Sequence, residues 1–230
     1  MREAPHIFFR FATRLFAISL GALSIWSLLA ELSRPAIDRL PTDQVSAALA
    51  AKHRSAAAFA ASIGSIRGDL WAESAFTYSD LLWGNASPST DLPQSLRHAR
   101  ISVENALRLA PHQSGAWLFL AALTSHHASQ GFDPKEALRM SYYTGPNELD
   151  LMPLRLRLMA HLDPFEDVEM QQFASWDLRS LIARKQTSAI AEVYREASLA
   201  GRRFIEQIVA AIDPSLIEAL RSERNSGIAN

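Results

Sequence analysis

Apolar residues run without a charge from Leu15 to Ala30, LFAISLGALSIWSLLA, and beyond that stretch they recur at helical spacing almost to the end of the chain. The run is followed by Glu31 and Leu32 and preceded by Arg2, Arg10 and Arg14 against a single Glu3. At about 1.5 Å per residue its sixteen residues cover roughly 24 Å, somewhat short of a bilayer core of about 30 Å. Phe8, Phe9, Phe11 and Ala12 extend the apolar surface, and Arg14 can snorkel outward. Such a run suits a membrane anchor over residues 15–32, a cleaved signal peptide or a buried core helix. The anchor fits best. Ala30 has Leu28 two positions before it and Ala36 has Arg34, so neither makes a small-x-small cleavage site. The polar stripe of a core helix is reduced to Ser19, Ser24, Ser27 and glycine. With three arginines holding residues 1–14 in the cytoplasm, and Arg34 and Arg39 balanced by Glu31 and Asp38, the rest of the chain is expected outside. In a bacterial cell that is the periplasmic side of the inner membrane.

Residues 33–41, SRPAIDRLP, read as a linker, because Pro35 and Pro41 disfavour continuous helix. From 42 to 224 the pattern predicts one α-helical domain, with 225–230 as a flexible tail. Thr42 is the expected N-cap of a helix running to Gly64, with Asp43 in its first turn. Between Asp69 and Trp83 the residues Trp71, Ser74, Ala75, Tyr78 and Leu82 share one helical face. Gly84 to Pro93, GNASPSTDLP, is a loop by its turn-forming residues. Helical periodicity returns up to Pro111, again from Ser114 to the break at GFDP (131–134), and again over KEALRMSYY, halted by Gly145 and Pro146. Leu151–Leu162 follows. Further segments are placed at about 165–184, 187–211 with a break at Gly201, and 214–224. The strict alternation of PLRLRLM, 153–159, is the best strand candidate, but Leu151, Leu154, Leu158 and Leu162 also share a helical face, and helix is the expectation.

Trp117 and Leu151 stand thirty-four residues apart, and Pro111 and Pro146 thirty-five, a period that points to helix–turn–helix arrays. The segment Glu104–Leu123, ENALRLAPHQSGAWLFLAAL, resembles the junction between two tetratricopeptide repeats: Ala99 and Ala106 as small residues of one second helix, Pro111 in the turn, then Trp117, Leu120 and Ala121 opening the next first helix. The resemblance extends over roughly 68–162, with Trp71, Ala75 and Tyr78 in a preceding unit and Leu151, Leu154 and Leu158 in a following one. Trp71 and Trp117 are forty-six residues apart, so the first unit carries an insertion of about twelve, and Arg155 stands where a small residue is expected. Taken with the apolar N-terminal run, the expected fold is all-α, a transmembrane helix followed by a tetratricopeptide-like superhelical stack, and the resemblance implies that its first helices line a groove for a protein partner. In that register the partner-binding positions are Asp69, Phe76 and Asp80, with Ala72 and Ser79; then Leu118, Ser125 and His126, with Ala122; then Met152, Leu156 and Met159. The last three are apolar, so they form either a binding strip or a surface that the C-terminal helices fold back to bury.

Composition narrows the chemistry. With 230 residues, 48% hydrophobic and 20% charged, the chain is neither disordered nor a polytopic membrane protein. Lys+Arg 23 against Asp+Glu 24 leaves a net charge of -1, which makes nucleic acid an unexpected partner. The absence of cysteine removes disulfides, thiolate zinc sites, iron–sulfur clusters and a cysteine nucleophile. His126 and His127 are adjacent and so point about 100° apart on a helix, unlike zinc ligands at i, i+4, and no H-E-x-x-H, G-x-S-x-G, S-x-x-K or phosphate-binding glycine pattern is present. EDVE, 166–169, suits the start of a helix. Arg67, Asp69 and Glu73 cluster beside Trp71, where an exposed helix pair is expected ahead of an acid–base pair. No cofactor and no catalytic residue is expected. The expectation is a membrane-anchored, non-catalytic interaction scaffold bound to the bilayer through 15–32 and to an envelope protein, in some assembly or export role. The alternative is an exported helical enzyme or small-ligand binder using a pocket around Trp71, Tyr78 and Trp117.

Overall fold

The computed structural model describes residues 4–35, 37, 39–83, 91–127, 131–162 and 167–228. Among these residues every regular element is helical: α1 (Ala4–Leu32), α2 (Gln44–Ala51), α3 (Arg54–Ile63), α4 (Gly68–Phe76), α5 (Leu92–Leu109), α6 (Ser114–His126), α7 (Pro134–Thr144), α8 (Met152–Leu162), α9 (Val168–Ala183), α10 (Thr187–Glu196), α11 (Leu199–Ile212) and α12 (Pro214–Ile228). Short 3-10 turns at Ser79–Trp83 and Leu149–Leu151 complete the list. The alternating stretch 153–159 lies inside α8, so the helical spacing of its leucines prevails over the two-residue period.

Capping residues decide where several of these helices start. The helix expected from Thr42 begins instead after Asp43, whose carboxylate accepts from the Val45 and Ser46 amides at 2.9 Å, and it is split into α2 and α3 by a turn at Lys52–His53. Leu92 and Pro93, expected in the loop, open α5: Asp91 caps, and proline in the first turn sacrifices no hydrogen bond. Residues 84–90 of that loop lie outside the described residues. The expected break at Gly201 falls instead at Ala197–Ser198, because the Ser198 hydroxyl caps the Gly201 amide. The segment expected to be a tail from 225 continues as helix to Ile228.

Packing joins α4 to α5, α6 to α7 and α8 to α9, while α4, α6, α8 and α10 are neighbours in that order. In the first two pairs the start of one helix meets the end of the other through small residues. A β-carbon placed on Gly68 would stand 2.6 Å from the Ala110 β-carbon and 3.0 Å from its amide nitrogen, and one on Gly145 would stand 2.7 Å from the Ser114 β-carbon. One main core runs from Leu40 to Leu220 through Leu118, Phe119, Leu138, Met152, Leu178 and Val209. A satellite of Ala30, Ala60, Ala61 and Leu70 joins α1 to α3 and α4. From Phe9 to Leu29 every residue of α1 is exposed.

Replacing Gly68 by alanine is expected to lower stability by about 1–3 kcal/mol, since the new methyl meets backbone that cannot yield. Gly21→Ala, with nothing near its β-carbon, is the control and is expected not to lower it. Chemical unfolding of the detergent-solubilised chain followed by circular dichroism checks both; equal midpoints would contradict the close approach.

Candidate functional site

Four residues of α4, Asp69, Ala72, Glu73 and Phe76, fall on one face by their i, i+3, i+4, i+7 spacing and form a wall of a cavity of about 610 Å³. Opposite stand the start of α6 at Gln113–Gly115 and the α7–α8 connection, Asn147–Leu151. The third side is the segment expected to be a linker. It is not free: Pro35, Leu40 and Pro41 are buried, and Arg34, Arg39 and Leu40 line the cavity. Phe76 is held edge-on by Phe119 with ring centroids 6.3 Å apart.

Charge is concentrated here. Glu73, only 3% exposed, is gripped by Arg34, whose Nε donates to Oε1 at 2.7 Å. Burial pushes the Glu73 carboxyl above its usual range despite that guanidinium. Arg67 forks onto Asp69 at 2.6 and 3.2 Å and also reaches Glu31 at 2.8 Å, while Arg34 donates to Glu31 at 3.0 Å. The expected exposed helix pair at Asp69 and Glu73 is therefore replaced by a five-membered cluster that ties α1 to α4. At the far rim Arg39 pairs with Asp150, and the Ser114 hydroxyl donates to Glu148.

The nine expected partner-binding residues do not form one surface. Asp69 and Phe76 line the cavity just described. Asp80 is paired with Arg54. Leu118, Met152, Leu156 and Met159 are buried in the core, and α9, α10 and α11 pack on α8 together with α6 and α7, so these apolar positions are not open as a strip. Ser125 is half-buried. His126 lines a separate cavity of about 390 Å³ with Arg157, His161 and Glu196; its ring stacks on His161 at 5.5 Å. Desolvation there, with His161 and His127 nearby, holds the His126 imidazole below its usual range. Trp71, Tyr78 and Trp117 line none of these cavities. Their polar atoms or rings are used locally: the Trp71 indole donates to the Ser65 carbonyl at 3.1 Å, the Trp117 indole to the Pro111 carbonyl at 2.8 Å, and Arg54 lies over the Tyr78 ring.

Sequence reasoning missed Arg34, Glu73, Glu148 and Asp150 as cavity residues. It also left Arg155 unexplained. Arg155 is fully buried: its Nη2 donates to the carbonyls of Ser141 and Gly145 at 2.6 and 2.9 Å, its Nε to the Ser141 hydroxyl at 3.0 Å, and its guanidinium lies over the Tyr142 ring. A cation thus satisfies the carbonyls at the end of α7, where the helix dipole favours positive charge. Asp177 of α9, also fully buried, is the nearby countercharge; burial pushes its carboxyl up to about 7, against the pull of Arg155 and the Tyr142 hydroxyl.

Comparison of the chain with protein-family models, with curated proteins and with solved structures yields no match.

Because the folded Asp177 carboxyl holds its proton to a higher pH than the unfolded one, its protonated form stabilises the fold fully below about pH 4, and that contribution is lost as pH rises toward 7. Asp177→Asn removes this loss. The stability difference between wild type and variant, measured by denaturant unfolding from pH 4 to 8, is expected to shift steadily in favour of the variant; parallel profiles would contradict the assignment.

Proposed function

We propose that the protein is a membrane-anchored, non-catalytic interaction scaffold. Residues 1–14 lie in the cytoplasm, α1 crosses the inner membrane of a bacterial cell, and the helical body stands in the periplasm, accessory to an envelope assembly or export machine. The observation that carries this is α1 itself. Its segment Phe9–Leu32 is long and apolar enough to cross a bilayer, and almost none of it is covered by the rest of the chain. A core helix of a soluble protein would be covered, because exposing this much apolar side chain to water costs about 25 cal/mol per Å².

A tetratricopeptide-like stack is supported by equivalences between α4–α5 and α6–α7. Trp71 and Trp117 each stand at the fourth position of their helix and donate to the carbonyl six residues back. Gly68 against Ala110 and Ser114 against Gly145 repeat the same close approach. The groove for an envelope protein is the cavity between α4, α6 and the α7–α8 connection. Arg34, Arg39 and Leu40 already line it, with Leu40 facing the start of α6 and both arginines on carboxylates, which supports a partner segment that pairs a basic group with an apolar one.

A reporter enzyme fused after Asn230 that works only outside the cytoplasm is expected to be active, and the protein is expected to stay with membranes through alkaline extraction. Cytoplasmic reporter activity or release into the supernatant would refute the topology. Cross-linking in intact cells is expected to capture a defined envelope protein. Its yield is expected to fall several-fold in a Glu148→Ala/Asp150→Ala variant that alters the rim of the cavity away from the cluster at α1; undiminished capture would move the partner elsewhere on the body.

A further inference from the structure

Resting on α1 as a membrane span, we propose that the C-terminal end of α3 and the turn after it, carrying Phe59 and Ile66, sit in the lipid headgroup layer beside the anchor. A bilayer core of about 30 Å takes about 20 residues of helix. Counted from Arg10, those residues end at Ala30; counted from Arg14, they end at Arg34 and draw more of the body inward. Trp26 stands roughly 6 Å before Ala30 along the helix. Its indole donates to the Ile63 carbonyl at 2.8 Å, and Ala30 packs with Ala60 and Ala61. The last turn of α3 is therefore level with the outer end of the apolar helix and not beyond it.

The side chains there have the chemistry that depth requires. Phe59 on α3 and Ile66 in the turn after it are 54% and 73% exposed, bare apolar surface close in the chain to the Ile63 carbonyl that holds Trp26 of the helix entering the lipid. The nearest charges, Glu31, Arg34, Arg67 and Asp69, compensate one another in the cluster described above, so no isolated charge is carried toward the hydrocarbon. With Arg67 taken up by Glu31 and Asp69, contact depends on apolar insertion and not on anionic lipid. The body consequently rests on the membrane at a fixed tilt.

Because the chain has no cysteine, single engineered cysteines report depth cleanly. The full chain is spin-labelled at Phe59→Cys, Ile66→Cys, Leu23→Cys in mid-span and Leu199→Cys on α11, then reconstituted in bilayers of phosphatidylcholine alone. Collision rates are measured with oxygen, which partitions into lipid, and with a water-soluble nickel chelate. The oxygen-to-nickel ratio at 59 and 66 is expected to exceed that at 199 several-fold, in the direction of 23. Labels at Ser62→Cys and Ser65→Cys, which leave Phe59 and Ile66 in place, are expected to report the same depth. Water-like ratios at 59, 62, 65 and 66 with a lipid-like ratio at 23 would overturn the proposal and leave the anchor standing. A water-like ratio at 23 as well would refute the anchor and the proposal together.

Discussion

A carboxylate that is taken out of water needs a cation, and Glu73 obtains its cation from thirty-nine residues upstream, just beyond the apolar helix. The desolvation cost of such a group is several kcal/mol unless it is paired and hydrogen-bonded. Arg34 provides that pairing and also holds Glu31, while Arg67 closes the ring onto Glu31 and Asp69. The direction in which the chain leaves α1 is thereby set by the body. Residues that would otherwise be a loose tether are laid along α4 and seated by Leu40 and Pro41. The apolar helix, the segment after it and the cavity are one construction: a wall of the cavity is made partly of residues 34, 39 and 40, which follow α1.

The same logic of buried charge governs the packing of α7, α8 and α9. Arg155 enters the core because the carbonyls ending α7 need donors there, and Asp177 follows because Arg155 is there. Neither group lines the two cavities described above. The two raised carboxyls, Glu73 on α4 and Asp177 on α9, share desolvation as the leading cause.

Much of the helical plan was legible from residues alone, because 3.6-residue spacing and capping residues are local. The register of the resemblance put Asp69 and Phe76 on one side of α4, where both line the cavity, and the small residues around Pro111 marked a close helix approach. What escaped was contributed from a distance. Thr42 and Asp43 are both competent caps, and only the backbone chooses between them. Pro93 looks like a loop residue until Asp91 is seen to cap the helix it opens. Arg34 sits between a proline and a serine in a stretch with every mark of a linker, and nothing local says that Glu73 will be buried and need it. Met152, Leu156 and Met159 are apolar by identity, but whether such a face is open or covered depends on which helices return to α8, which is a property of the whole chain.

The central claim is that anchor and body form one rigid unit held by the Glu31–Arg34–Arg67–Asp69–Glu73 cluster. Spin labels at Leu28→Cys on α1 and Ser55→Cys on α3, in the full chain in lipid nanodiscs, allow the separation between them to be measured by pulsed electron resonance. A single narrow distance distribution is predicted. A broad distribution, of the kind that a nine-residue tether reaching up to roughly 30 Å produces, would contradict it.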